Sequence, residues 1–119
     1  MANYRDIKGF QIQSLDTDPV AGGGSWASGG NLNNPRGQVR MGTTGVTTNG
    51  VAVGGFDVTA PAVRAYTEEY NGTSWAENGD VPSTVRLGES AGSPTSLLYA
   101  GGSTGTGGAP INPTGFEYN

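Results

Sequence analysis

The chain has 119 residues, 22 of them Gly and 7 Pro, with 6 Lys and Arg against 10 Asp and Glu for a net charge of −4. Leu, Ile, Val and Phe fill 20 positions, a share that together with high charge would mark a disordered chain; the charge is low, so the chain must either stay loose or repeat a Gly-rich unit with a regular period. Cys and His are both absent, which excludes disulfides, thiolate nucleophiles, Cys- or His-ligated metals and Ser-His-Asp catalysis.

No apolar run approaches the ~18 residues of a membrane span, so membrane insertion is not expected. Met1-Ala2-Asn3-Tyr4-Arg5-Asp6 has no apolar signal-peptide core. The few Arg and Lys residues form no patch, which argues against a nucleic-acid partner. Residues 1–20 hold one Gly and five charges, with Ile7, Phe10, Ile12 and Leu15 as their apolar content. They read as a docking arm, or alternatively as a frayed terminus. Ala21-Gly22-Gly23-Gly24 follows as a hinge.

Past the hinge the chain repeats itself, and a repeat decides a fold more than any single motif. Ser25-Trp26-Ala27 recurs as Ser74-Trp75-Ala76 at an offset of 49, Gly54-Gly55 as Gly101-Gly102 at 47, and Glu69-Tyr70-Asn71 as Glu117-Tyr118-Asn119 at 48. Arg36 and Arg86 lie between the Trp and the Gly pair of each copy. Two copies, about 25–72 and 73–119, are expected. A period near 48 falls in the range of four-stranded propeller blades. Met41 to Phe56 predicts two strands around a tight Asn49-Gly50 turn. Val63 to Tyr70 and Ser74 to Ala76 flank a second turn at Asn71-Gly72. Val85 to Ala91 and Leu97 to Ala100 flank Gly92-Ser93-Pro94-Thr95, and a last strand is expected at about Thr114 to Tyr118. Asp57 to Pro61 and Ser103 to Gly108 read as matched surface loops. No stretch has a helical period.

With Arg36, Val51-Ala52-Val53-Gly54-Gly55, Glu69-Tyr70 and Trp75 in one copy, and Arg86, Leu98-Tyr99-Ala100-Gly101-Gly102 and Glu117-Tyr118 in the other, the chain resembles Kelch-like repeats. The wording is similar to the degenerate Kelch-like arrays of tailed-phage virion proteins, particularly those of phages infecting marine bacteria. Met1 to Phe10 also resembles the start of such proteins. The resemblance implies an all-β fold with two Kelch-like four-stranded blades per chain, on a virion appendage such as a tail fibre, capsid fibre or capsid decoration protein. It implies a location on the virion surface after synthesis in the bacterial host cytoplasm.

Such family members carry many blades per chain, whereas this chain has two, and a blade needs a neighbour on each face. The second copy stops before the Gly-Thr-Ser-Trp that ends the first, while Gly23-Gly24-Ser25-Trp26 stands at the other end. A homotrimer closing a six-bladed β-propeller is therefore expected; the alternative is the N-terminal part of a longer single-chain propeller. Expected partners are other copies of the chain, other virion proteins through residues 1–20, including Tyr4, and a host-surface glycan or receptor.

Trp26 and Trp75 read as packing anchors, with sugar stacking as the alternative. Arg36 and Arg86 are expected to bond backbone carbonyls or a carboxylate between blades, or else a ligand in the central channel. Gly54, Gly55, Gly101, Gly102, Tyr70 and Tyr118 complete the repeat anchors. Tyr4, Tyr66 and Tyr99 are candidate binding residues. Glu68, Glu69, Glu77, Asp80 and Asp57 are the carboxylates from which a glycosidase pair would have to come, but only Glu69 and Glu117 recur, and repeated positions are usually structural. Asn71-Gly72-Thr73-Ser74-Trp75 is similar to the end of a sialidase Asp-box, yet Tyr70 stands where that box needs Asp. No catalytic, cofactor or metal residue is assigned.

Overall fold

A computed structural model describes Gly24 and residues 26–119. The docking-arm residues Tyr4, Ile7, Phe10, Ile12 and Leu15 lie outside the described residues, as does most of the hinge.

The short apolar runs between Gly-rich turns become strands. They are β1 (Arg40–Thr43), β2 (Gly50–Val53), β3 (Phe56–Asp57), β4 (Ala62–Val63), β5 (Thr67–Tyr70), β6 (Trp75–Asn78), β7 (Glu89–Ser93), β8 (Ser96–Ala100) and β9 (Gly115–Tyr118). The first sheet has the order β1-β2-β5-β6, the second β7-β8-β9, and β3 pairs with β4 in a small hairpin between β2 and β5. All pairings are antiparallel, and no helix occurs among the described residues. The all-β expectation stands.

The repeat is visible in the backbone itself. Gly37 and Phe56 exchange two backbone hydrogen bonds, as do Arg86 and Ser103. Gln38 and Leu87, one residue after Gly37 and Arg86, take the rare positive φ values of 56° and 61°. Val51 stands opposite Glu69 in the first sheet and Leu98 opposite Glu117 in the second. The Gly pairs are needed where they fall. Gly55 has φ of 119°, and a Cβ there would lie 2.7 Å from Gly37 O; Gly102 has φ of 83°, and a Cβ would lie 2.3 Å from Arg86 O.

The sheets pack through β1 and β7. Val51, Val53, Val85, Leu97 and Tyr99 form the buried cluster, with Val81, Phe116 and Tyr118 against it. Leu97 seats over Gly42, where a Cβ would lie 2.0 Å from Leu97 Cδ1. Each buried Val or Leu side chain contributes about 1.5–3 kcal/mol.

Several local expectations are corrected. Asn49-Gly50 is not a two-residue turn: Gly50 pairs with Thr43 inside the sheet, and the connection is a six-residue loop closed by Thr43, whose Oγ1 donates to the carbonyls of Val46 and Asn49 and accepts from Gly45 N. Val63 to Tyr70 is not one strand, because Arg64 N turns aside to donate to Gly55 O. The strand expected from Val85 begins only at Glu89, after the positive-φ residue Leu87. The sequence copies and the sheets are out of phase: β6 lies in the second sequence copy but closes the first sheet. The second sheet accordingly has three strands among the described residues rather than four.

Candidate functional site

The two connections that lead into the sheets, 33–40 and 82–89, follow the same backbone course. With the bridges at Gly37 and Arg86 and the positive-φ residues Gln38 and Leu87 matched, Arg36 corresponds to Val85 and Gly37 to Arg86, so the two arginines are not equivalent, contrary to the sequence pairing. They do different things. Arg36 is enclosed within the first sheet. Its Nη1 lies 2.5 Å from Glu68 Oε1, with the two side chains 1% and 0% exposed. Its Nε donates to Gly54 O and its Nη2 to Tyr66 O. The Glu68 carboxylate also accepts from Asn33 N and Asn34 N at 2.6 and 3.2 Å. A buried ion pair holds only when such extra bonds satisfy it, and here they do. The second sheet has the apolar version: Val85 replaces Arg36, Phe116 replaces Glu68, and Pro82, which has no N–H, replaces Asn33.

Arg86 instead joins the two repeats. It donates through Nε to Gly105 O at 3.0 Å, through Nη2 to Thr106 O, and through Nη1 to Gln38 Oε1 at 2.7 Å. Its guanidinium lies 5.1 Å from the centre of the Phe56 ring. The carbonyls it bonds belong to its own repeat, and the bond that spans the repeats goes to the side-chain amide oxygen of Gln38. Arg86 fixes loop 104–110 of the second repeat against the root of the β3–β4 hairpin of the first.

Each loop is also tied within itself. Asp57 Oδ1 accepts from Thr59 N and Ala60 N, and Asp57 Oδ2 pairs with Arg64 Nη2 at 2.7 Å. The Ala60 N–H and the Arg64 guanidinium hold the Asp57 carboxyl below its ordinary range. In the other loop Thr104 N donates to Pro110 O, and buried Asn112 donates to the carbonyls of Gly101 and Thr114. Beside the hairpin, Asn34, Arg36, Asp57, Arg64 and Tyr66 line a cleft of about 210 Å³. Arg36 and Arg64 both stand 5.7 Å from the Tyr66 ring centre. The cleft is below the size of a drug-like ligand site and suits a small polar group.

The carboxylates do not form an acid–base pair in this cleft. Glu68 and Glu69 are neighbours on β5 and point to opposite faces of the sheet. Glu68 is held by Arg36, whereas Glu69 accepts from Asn78 Nδ2 and from Tyr118 Oη of the second sheet, the latter at 2.6 Å. Asp57 is shifted in the direction opposite to that of a general acid. No cluster of three metal-ligating carboxylates occurs among the described residues.

Trp75 is half-buried, 5.0 Å from Tyr70 between ring centres, and donates Nε1 to Gly30 O. Trp26 is not an anchor within this chain: it is 102% exposed. Tyr99, a candidate for binding, is instead fully buried, and its Oη accepts from Gly88 N. The role of Glu68 escaped the sequence because it does not repeat; the signal that could have found it is the joint change of Glu68 to Phe116 and Asn33 to Pro82. No family model matches the chain, and no curated protein matches it.

Proposed function

We propose that this chain is a phage virion appendage protein, of the fibre or decoration type, that displays paired surface loops for attachment to a host-surface glycan or receptor. One observation carries the reading most directly: Arg86 ties loop 104–110 to Phe56 and Gln38, so the divergent loop of the second repeat is braced against the root of the divergent hairpin of the first. Divergent loops on a repeated scaffold are the usual place for recognition. The Kelch-like wording of the repeats supports the virion assignment, and the two half-equivalent sheets support a propeller of six blades built by three chains. Residues 1–20 serve as the arm that docks on other virion proteins. Many copies per particle raise weak single-site binding to useful avidity. No reaction is assigned, and no cofactor or metal is required.

The test is competition. Purified protein added to host cells before the phage should reduce adsorption, and protein with loop 104–110 shortened to a Gly-Ser link should not. Equal competition by both proteins removes the loops from attachment. Particles on which an antibody to the chain finds no target overturn the virion assignment itself.

A further inference from the structure

Among the described residues, the second sheet ends one strand short of the first. In the first sheet β6 closes the outer edge, with Trp75 opposite Tyr70 and Ala76 opposite Glu69. In the second, β9 pairs with β8 only, among the described residues. The tripeptide that opens β6 recurs upstream of the first sheet, and there Trp26, Ala27, Ser28 and Gly29 are all exposed. Gly29 lies beside Tyr70 Oη, at 3.6 Å from a built Cβ. Tyr70, Gly50 and the Met41 side chain share one face of the first sheet. The opposite face, with Gly42, Val51, Val53 and Glu69, is the one covered by the second sheet. Residues 26–29 therefore lead away from the chain's own β9.

The outer face of the second sheet and the open part of the first match. Val51 and Leu98 hold the same register position, yet Val51 is 0% exposed and Leu98 52%. Val51 is covered by the second sheet of its own chain; Leu98 has no such cover. Leu98, Ala91 and Glu117 of that face, with Gly92, Leu97 and Tyr118 of the other, line an open cleft of about 540 Å³ at the hairpin end of the sheet. The matching face of the first sheet is covered by its own chain at Ala52 and Glu68, both 0% exposed, and open at Met41, 46% exposed, beside the side-chain-free Gly50. Glu117 holds the position of Glu69, and Tyr70 that of Tyr118. The bond from Tyr118 to Glu69 that joins the sheets within one chain thus has its two halves, Tyr70 and Glu117, on the two faces that do not meet within one chain.

We infer that residues 26–29 of a second copy add to β9 as its fourth strand, Trp26 opposite Tyr118 and Ala27 opposite Glu117, and that Tyr70 of that copy donates to Glu117. This closes the open edge, which is otherwise a template for uncontrolled pairing, and it rests on the multichain propeller proposed above. The exchange is heterologous, so it generates a ring if the rotation closes.

The chain has no Cys, so a single engineered pair reports on the register. Directly opposed residues in antiparallel strands have Cβ atoms about 4.5–5.5 Å apart. In the same register Gly29 falls opposite Gly115, both exposed, so the full-length Gly29→Cys, Gly115→Cys variant keeps Glu117 and should give disulfide-linked species of two and three chains on a non-reducing gel. A species cross-linked within one chain overturns the proposal, as does the absence of cross-linking. The native mass of the unmodified protein separates the two failures: a three-chain mass without this cross-link leaves the ring standing and removes the strand exchange, whereas a single-chain mass removes both. Leu98→Asp adds a second reading. The position is open in a single chain, so the variant keeps its β-sheet circular dichroism, but the three-chain species should be lost. A three-chain mass that survives L98D overturns the face pairing.

Discussion

Arg36 and Glu68 form an ion pair whose side chains are 1% and 0% exposed, and the second repeat replaces the pair by Val85 and Phe116 at the matching positions. One molecule thus contains a charged and an apolar solution to the same packing site. Removing one partner of such a pair leaves an uncompensated charge and costs about 3–5 kcal/mol. Glu68→Ala should lose that amount, because Arg36, Asn33 N and Asn34 N all lose their acceptor. Arg36→Val with Glu68→Phe and Asn33→Pro copies the second repeat and should recover most of the loss. Urea unfolding of the wild type and the two variants measures this; a triple variant no more stable than Glu68→Ala would show that the two sites are not interchangeable.

The contact of Leu97 with Gly42 makes the two sheets one unit. Leu97→Ala should cost about 2–5 kcal/mol, as for other buried leucines. Gly42→Ala should also destabilise, because its Cβ meets Leu97 Cδ1 at 2.0 Å and Gly92 O at 3.3 Å. The two changes are not independent: the methyl added at position 42 enters the space vacated at position 97. The double variant should therefore be more stable than the sum of the single losses predicts. Additive losses would mean that the two residues do not share the contact.

The parts of the fold that could be read in the sequence are those set by local chemistry. Asn71-Gly72 works as a turn because Asn71 Oδ1 accepts from Thr73 N and Ser74 N while Gly72 takes a φ of 96°. Asn49-Gly50 has the same letters and a different fate. Gly50 is drawn into β2 opposite Thr43 and Tyr70, where its lack of a side chain leaves room for the Met41 side chain. That tertiary demand outweighs turn preference and no nearby residue announces it. The pairing of Arg36 with Arg86 failed for a related reason. Matching by residue type aligned the arginines, whereas the positive-φ residues Gln38 and Leu87 set the true equivalence one position away, and neither residue type favours positive φ. The cleft around Tyr66 was out of reach because it needs Asp57 and Arg64 brought together by the β3–β4 hairpin, whose two strands are two residues long each.

Two glycines in the second repeat's loop region should respond in opposite ways. Gly102→Ala would place a Cβ 2.3 Å from Arg86 O at a φ of 83°. Left-handed backbone alone costs roughly 1–2 kcal/mol for an L residue, and the clash with a backbone atom adds to it. Gly107 has nothing within 4 Å of a built Cβ, so Gly107→Ala should be neutral or stabilise by up to about 1 kcal/mol through the unfolded chain. Thermal melts of the two variants decide; equal melting temperatures would remove the steric account of the Gly pair.

The bond from Tyr118 to Glu69 predicts an alkaline limit on the packing of the sheets. Burial, and then the hydrogen bond to Glu69, push the Tyr118 phenol from 10.0 up to about 12. Between these values the unfolded chain releases a proton that the folded chain retains, so stability falls as pH rises. The contribution is complete below pH 10 and is lost between about pH 10 and 12. Tyr118→Phe should cost about 1 kcal/mol at neutral pH, below the roughly 1.5–3 kcal/mol of a hydrogen bond to a charged group, because Tyr118 is partly exposed and Glu69 keeps Asn78. The same variant should lose stability less steeply over the alkaline range. Some slope remains, since burial also raises the Tyr99 phenol. Urea midpoints recorded from pH 8 to 12 for wild type and Tyr118→Phe test the assignment. Parallel curves would place the alkaline loss elsewhere and leave the contact between Tyr118 and Glu69 without a role in holding the two sheets together.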